Sequence, residues 1–325
     1  MIQSLAELDD PDSIWNRAAA RTEQGDPFSC RTEWQISIQQ TFFPKRRLHL
    51  RASAAGFLAL AERRYPDLGP TLEPIDSLWL FGSPLLGPGA LDLLEDLLDE
   101  RAIAGRPANL VISGVLPQQP LRLQILRSFQ GRFEIFRART TSVCSASLEG
   151  GLEGFLGRRS ALFRKRLRQA GRRAADRGLC FERVRPGGRA ESDAVFRRML
   201  AVERTSWKGL ADNGITEAGS TRFYRALARR LAVSGRSRVI FARDGERDVG
   251  FIFGGIAGEV YRGQQFSYAE DWQSASIGNL LQQEQIRWLE EDGIARYDMG
   301  PMMDYKRHWT EQRIAMHVLL LRPKA

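Results

Sequence analysis

Residues 266–309 read FSYAEDWQSASIGNLLQQEQIRWLEEDGIARYDMGPMMDYKRHW and carry the pattern that decides the fold. A strand-like run at residues 264–269 leads through a polar loop to residues 276–279, where a helix with periodic apolar positions begins. The first backbone N–H groups of a helix have no intrahelical acceptor, and a glycine among them leaves room for a phosphate. The stretch therefore predicts an anion-binding turn, although an ordinary helix cap has the same pattern.

Length and composition indicate a soluble globular protein with room for two domains. The chain has 325 residues, of which 43% are hydrophobic and 27% are charged. No apolar run approaches the roughly 20 residues that cross a bilayer, and the first ten residues are acidic, so we expect a cytoplasmic protein. The three cysteines and three histidines are scattered, so the sequence predicts neither a disulfide framework nor a metal site.

Positive charge is concentrated in the second half of the chain. Residues 1–150 hold 16 basic and 18 acidic side chains, whereas residues 151–325 hold 32 basic and 21 acidic ones. Nine of the basic residues lie between Arg158 and Arg177, on a predicted helix at residues 152–178 that has an inward apolar stripe. This pattern fits either a solvated helix that bridges the two domains or a surface that binds nucleic acid.

Alternation and helical spacing predict a three-layer α/β domain in the first half. Strands are predicted at residues 34–41, 45–51, 77–81, 109–115 and 133–144, and helices at residues 54–64, 90–104 and 120–129. A glycine-rich segment at residues 149–154 coincides with the change in charge, so we place a domain boundary there. The predicted domains are residues 1–150 and residues 151–325.

The second half has a distinctive order of predicted elements. A helix pair at residues 190–207 and 220–234 precedes an antiparallel meander, whose Asp-Gly turn at residues 244–245 is a hairpin signal. A helix, a strand, a loop and a last strand follow, at residues 277–291, 294–299, 304–309 and 315–321.

Several side chains in this half are candidates for the general bases, general acids and ligands of a functional site. Glu203 lies four residues before Trp207 on one helix face, which indicates a general base or a ligand for the substrate amine, with a surface ion pair as the alternative. Trp207 is expected at the rim of the substrate cleft, and Lys208 is expected to face solvent. Asp298 ends an apolar strand and is expected to hold Lys306 or a substrate ammonium, or simply to form a turn.

Two tyrosines and a histidine are candidate proton donors. Tyr268 and Tyr305 are candidate general acids, because the pKa of a phenol is close to that of a thiol leaving group. Tyr268 fits equally well as a core residue of its strand. His308 is a second-choice proton relay, because a neutral imidazole exists near pH 7.

The element order and four sequence marks resemble the GNAT acyltransferase superfamily, most closely the branch of CelD-type acetyltransferases and FemABX peptidoglycan aminoacyltransferases. The marks are FLGRRSALFRKRLRQAGRRAADRG at 155–178, ERTSWKG at 203–209, SIGNLLQQEQIRWLEEDGIARYDMG at 276–300 and DYKRHW at 304–309. The first half is more loosely similar to the family's divergent domain, through PFSCRTEW at 27–34 and LFGSPLLG at 80–87. The resemblance implies tandem GNAT-like domains with mixed central sheets flanked by helices, the first domain binding the acceptor.

The resemblance also implies a donor and its contacts. Acetyl-CoA or a related acyl-CoA is the implied donor, and Lys306 is similar to the family's lysine that stabilises negative charge on a phosphate or an oxyanion. In this chain the pyrophosphate motif of the family is reduced to one glycine without a basic residue. The implied donor-binding residues are Phe266, Ser267, Ser276, Ile277, Gly278 and Asn279.

Three functions follow as hypotheses. The leading one is an N-acyltransferase that moves an acetyl or similar group from a coenzyme A thioester to an amine. The second is an aminoacyl-tRNA-dependent transferase of FemABX type, suggested by the basic helix. The third is a module without activity that binds nucleic acid or regulates. The motifs GxSxG, GxxxxGKS and GxGxxG are absent from the sequence, which disfavours hydrolase, NTPase and dinucleotide-binding functions.

Overall fold

The computed structural model describes residues 4–211 and 214–324, and it divides the chain into two units. Unit 1 contains residues 4–143 and 314–324, and unit 2 contains the described residues between 144 and 313. The sequence predicted a boundary near residue 150 and placed the last strand in the second domain. The last strand instead belongs to unit 1, because it pairs with a strand of that unit.

Ten α-helices and twelve strands are formed by the described residues, together with short 3₁₀ helices. The elements of the first part are α1 (Ile14–Ala20), α2 (Thr32–Phe42), β1 (Leu48–Ala52), β2 (Phe57–Tyr65), β3 (Gly69–Pro74), β4 (Leu85–Leu86), α3 (Ala90–Ile103), β5 (Asn109–Val115), α4 (Pro120–Phe129) and β6 (Phe133–Ser147). The later elements are α5 (Gly151–Gly157), α6 (Ala161–Asp176), β7 (Leu179–Val184), α7 (Arg189–Arg204), α8 (Trp207–Leu210), α9 (Ala218–Val233), β8 (Ser237–Asp244), β9 (Arg247–Ala257), β10 (Val260–Tyr268), α10 (Ile277–Glu291), β11 (Arg296–Gly300) and β12 (Gln312–Pro323).

Unit 1 is a sheet with helices on both faces. Its strands run in the order β1-β2-β3-β5-β12, and β4 pairs with β2. Leu58 and Leu60 of β2 pack in a cluster with residues of α3 and α4, whereas Phe57 and Ala59 pack with residues of α1 and α2. Strand β12 pairs antiparallel with β5, with Leu319 opposite Ile112, which ties the C-terminal strand to this unit.

Three segments of unit 1 differ from the sequence predictions. The predicted strand at residues 34–41 is helix α2, and the predicted helix at residues 54–64 is largely strand β2. The predicted strand at residues 77–81 is a turn, in which Leu80 has a φ of 59°. Apolar side chains on both faces of a buried element remove the periodicity that separates a helix from a strand, which accounts for the error at β2.

Unit 2 is a mixed sheet in the order β11-β10-β9-β8-β7, with the end of β6 beside β11. Among the strand pairs that the described residues of this unit form, β10 with β11 is the parallel one and the others are antiparallel. Helices α5, α6 and α10 cover one face, where their apolar residues form a cluster with Ile240, Ile252 and Tyr297. Helices α7 and α9 pack on the strands from the other face. The predicted α/β class, with mixed sheets flanked by helices, is confirmed.

The basic segment of unit 2 is two helices rather than the predicted single helix at residues 152–178. Helix α5 ends at Gly157, and Ser160 begins α6 by accepting a hydrogen bond at Oγ from the backbone N–H of Phe163 at 3.2 Å. A side-chain cap of this kind defines the start of a helix. In the part of the chain that the structure describes, no helix combines the length and the apolar character that a membrane span needs.

Candidate active site

The candidate site of unit 2 lies where β10 and β11 separate. The two strands pair only from Val260 to Arg262, opposite residues 296–298. The register of β10 against β9 shifts between Gly263 and Gln265, and a bulge of this kind bends a strand. Strand β10 continues along β9 as far as Tyr268, so its other edge opens into a cavity of about 530 Å³.

Lys306 lies in the wall of this cavity, on a 3₁₀ helix that follows β11. The side chain is only 6% exposed, and Nζ donates a hydrogen bond to the carbonyl oxygen of Pro301 at 2.8 Å. Burial, together with the positive charges of Arg262 and Lys208, lowers the pKa of Lys306 to about 8. Both protonation states of the amine are therefore accessible near neutral pH.

Lys208 lines the same cavity from α8, and the prediction that it faces solvent was wrong. Its Nζ donates a hydrogen bond to the carbonyl oxygen of Phe266 at 2.7 Å, and it lies 5.3 Å from the centre of the Phe266 ring. Burial lowers the pKa of Lys208, while the nearby carboxylate of Glu203 acts in the opposite direction. The sequence showed no signal for this residue, because its partner is 58 positions away along the chain.

Glu203 is completely buried at the end of α7. Its Oε1 accepts a hydrogen bond from the backbone N–H of Ile215 at 3.2 Å. Gly214 lines the cavity, and a Cβ atom on this glycine would lie 2.1 Å from Glu203 Oε1. The carboxylate therefore lies directly behind the cavity wall, and its predicted role as a base stays a prediction.

Asp298 is also completely buried, but its contacts differ from those predicted. Its neighbours Tyr297 and Met299 line the cavity, so alternation along β11 directs the Asp298 side chain to the opposite face. Oδ2 accepts a hydrogen bond from Arg296 at 2.9 Å, whereas Lys306 is held by a backbone carbonyl. The structure thus separates the carboxylate and the amine that the sequence was expected to pair.

Aromatic side chains form the mouth of the cavity. Trp207, Tyr268 and Tyr305 all line it, and the roles predicted for them stay predictions. The rings of Phe266 and Tyr305 meet edge to face, with centroids 5.1 Å apart. Burial raises the pKa of Tyr305, so this phenol is protonated at neutral pH and is a weaker acid than an exposed tyrosine.

The predicted anion-binding turn lies at the start of α10. Ser276 adopts a left-handed conformation with a φ of 58°, and the helix begins at the next residue. A Cβ atom on Gly278 would lie 3.0 Å from the Phe266 ring and 3.2 Å from the Tyr268 ring. Glycine therefore lets the turn pack closely on the end of β10. The side chain of Ile277 is buried in the core, so only its backbone remains for a ligand.

A second cavity of about 440 Å³ lies on the other side of this turn. Ser276, Asn279 and His308 line it together with Arg166 and Arg173 of α6. His308 is thus found at the second cavity rather than in the predicted cleft beside Trp207. The two arginines lie seven residues apart on α6, so they are on the same face of the helix. This spacing is present in the sequence, but it is hard to recognise within the longer run of basic residues.

Asn279 and Trp309 join the turn to the segment that carries Lys306. Asn279 Oδ1 accepts a hydrogen bond from Trp309 Nε1 at 3.2 Å. The Trp309 ring is 1% exposed and stacks on Phe155 of α5, with centroids 5.6 Å apart. The positions of the anion turn and of Lys306 are therefore coupled through a buried aromatic side chain.

The diverging strands, the cavity beside them and the adjoining helix start lie within residues 161–307, the segment whose family match supports a transferase of the acyltransferase class. Residues 161–307 match the family model described as "Acetyltransferase (GNAT) domain". This segment therefore carries a GNAT-type domain, and the predicted resemblance is confirmed. No curated protein matches the sequence.

Solved structures share this fold along most of the chain. FemX is 12% identical with a TM-score of 0.66, over 98% of this chain and 96% of that chain. A conserved protein of unknown function from Bacteroides thetaiotaomicron VPI-5482 is 11% identical with a TM-score of 0.64, over 98% of both chains. The C-terminal domain (DUF2156) of a putative lysylphosphatidylglycerol synthetase from Agrobacterium fabrum is 13% identical with a TM-score of 0.59, over 99% of this chain and 93% of that one. At these identities the likeness concerns the fold.

Proposed function

We propose that the chain is an N-acyltransferase that moves an acetyl or similar acyl group from a coenzyme A thioester to an amine. The observation that carries this proposal is the separation of β10 from β11 beside the start of α10. The open strand edge offers backbone groups to an extended amide-containing arm, and the helix start offers N–H groups to phosphates. The family match and the fold support the same class of reaction. The cytoplasmic location stays a prediction.

Two steps of the transfer would use side chains at the cavity, namely formation of the oxyanion and departure of the thiolate. The nitrogen of the neutral amine forms a bond to the thioester carbon, and the carbon–sulfur bond then breaks. The ammonium of Lys306 would stabilise the oxyanion that forms on the carbonyl oxygen. The phenol of Tyr268 or of Tyr305 would give its proton to the departing thiolate, and the proton lost by the amine passes to solvent or a base.

Calorimetry with acetyl-CoA tests the donor. The wild type should bind, and Gly278→Glu should weaken binding at least tenfold, because it places a carboxylate and a larger side chain at the anion turn. Gly131→Glu is the matched control, since a side chain at Gly131 meets no atom within 4 Å. If neither the wild type nor Gly278→Glu binds acetyl-CoA, the coenzyme is excluded as the donor. If these two proteins bind it equally, the turn at the start of α10 is excluded as the phosphate-binding site.

An aminoacyl-tRNA donor is the second candidate, because α6 presents arginines to solvent and to the second cavity. The fold shared with FemX is compatible with it. Arg168 and Arg172 are exposed, whereas Arg164 donates to the carbonyl oxygen of Leu156 and is less suitable for substitution.

Binding of unfractionated tRNA at several salt concentrations tests this candidate. The affinity should fall steeply with salt, and charge reversal at Arg168 and Arg172 should weaken it at least tenfold at low salt. Reversal at the exposed Arg106 and Arg127 of unit 1 is the control with the same change in charge. Absence of binding, or equal affinity of the two double variants, would exclude the α6 surface as a tRNA site.

A further inference from the structure

The cavity beside β10 is rich in hydrogen-bond donors. Within the described part of the chain, Lys208 and Lys306 each use one N–H on a backbone carbonyl, which leaves two donors on each ammonium. Gln264 and Ser267 also line the cavity, and their buried Nε2 and Oγ atoms have no hydrogen-bond partner among the described residues. Buried polar atoms of this kind are usually satisfied by a ligand, water or another side chain.

The charge of the wall is positive. Among the residues that the structure describes, the cavity lining includes two lysines and no aspartate or glutamate. Glu203 is near Lys208 but lies behind Gly214, and Asp298 is on the opposite face of β11 with Arg296. A low-dielectric wall with this balance favours a negative group and disfavours a second cation.

The mouth of the same cavity is apolar and open. Trp207 is 53% exposed, Met303 is 52% exposed and Tyr305 is 42% exposed, although all three line the cavity. Single exposed apolar residues are common on protein surfaces, but three around one opening form a surface for an aromatic or aliphatic group. Trp207 directly precedes Lys208 on α8, so an apolar contact and a cation come from one helical turn.

We infer that the acyl acceptor carries a carboxylate or phosphate beside an aromatic or aliphatic body, and that Lys208 binds this anion. The inference rests on the proposed function, in which Lys306 is reserved for the oxyanion. Lys208 is then the cation that remains for the acceptor, and its two free N–H groups suit two oxygens of one anion. The apolar body of the acceptor would contact Trp207 and Tyr305.

Binding of product-like ligands without any donor tests the inference. The first pair is N-acetyltryptophan against N-acetyltryptophanamide, and the second is the phosphate ester of N-acetyltyramine against N-acetyltyramine. In at least one pair the anionic member should bind the wild type at least tenfold more tightly, and the pair that responds distinguishes carboxylate from phosphate. No preference in either pair, or no binding of any of the four ligands, would overturn the inference.

Substitutions at Lys208 locate the anion. Lys208→Met should abolish the preference while leaving the affinity for the neutral ligand within about twofold, and Lys208→Arg should retain it, because the charge remains. Lys45→Met, at an exposed lysine of unit 1, is the matched control and should keep the preference. A preference that survives in Lys208→Met would refute the assignment of this residue. The ligands in this test contain no thioester. The inference about Lys208 and the proposed acetyl-CoA donor can therefore each be contradicted without the other.

Discussion

Two lysines line one cavity, and the ammonium of each donates a hydrogen bond to a different backbone carbonyl. Lys306 is held by Pro301, five positions earlier, whereas Lys208 is held by Phe266 on a different element. Their charges oppose each other, since Lys208 is one of the cations that lower the pKa of Lys306. An ammonium that is close to losing its proton is a strong donor to a developing oxyanion.

The pKa of Lys306 provides a direct test of this environment. We expect the amine to titrate near pH 8, and we expect Lys208→Met to raise its pKa, because the substitution removes a nearby positive charge. Nuclear magnetic resonance of the ¹³Cε signals across pH 6 to about 11 measures both values, with Lys306→Met used to assign the signal.

Two outcomes of that titration would contradict the environment described for Lys306. An ordinary pKa for Lys306 would contradict its burial between two cations. A pKa near 8 that does not respond to Lys208→Met would show that the two amines are not coupled.

The predicted site residues that lie close together in the structure are those with a local sequence pattern. Phe266, Tyr268 and Gly278 come together because a strand, a turn and a helix follow one another within a short stretch. The contacts of Lys208 and Asp298 were missed, because each depends on a side chain or backbone group supplied by another part of the fold. Residue type and spacing do not specify such pairs.

At the scale of elements, sequence periodicity predicted the type of an element correctly where one face of that element is solvated. Helix α6 has a basic outer face and an apolar stripe at Leu167, Ala170 and Ala174, and the sequence predicted a helix there. Strand β2 is buried on both faces over its first five residues, and there the prediction was wrong. Helix α2 is buried along most of its length and was mistaken for a strand for the same reason.

The bulge in β10 shows how a small feature of one element creates the site. It falls between Gly263 and Gln265, where the register against β9 shifts by one residue. A Cβ atom on Gly254 of β9 would lie 2.4 Å from the carbonyl oxygen of Arg262, so the neighbouring strand needs a glycine there. The sequence contains these glycines, but it does not show which strands pair at them. The separation of β10 from β11 was therefore not predictable.

At the scale of the whole molecule, strands that are far apart along the chain are neighbours in a sheet. Strand β12 comes last in the sequence yet pairs with β5, more than two hundred residues earlier. A pattern along the chain cannot reveal this partner, because the pairing joins residues that are far apart in the sequence. The sequence therefore predicted the strand itself and assigned it to the wrong domain.

Leu321→Ala tests this grouping through stability. Leu321 is completely buried, lies opposite Leu110 of β5 and belongs to the core of unit 1, so its truncation should cost about 2–5 kcal/mol. Arg313→Ala is the control on the same strand, because Arg313 is exposed, and it should cost less than about 0.5 kcal/mol. Hydrogen exchange read by mass spectrometry should show faster exchange in β2, β3 and β5, whereas β8, β9 and α10 keep their protection. Faster exchange confined to unit 2, or no difference between the two variants, would contradict the place of β12 in the core of unit 1.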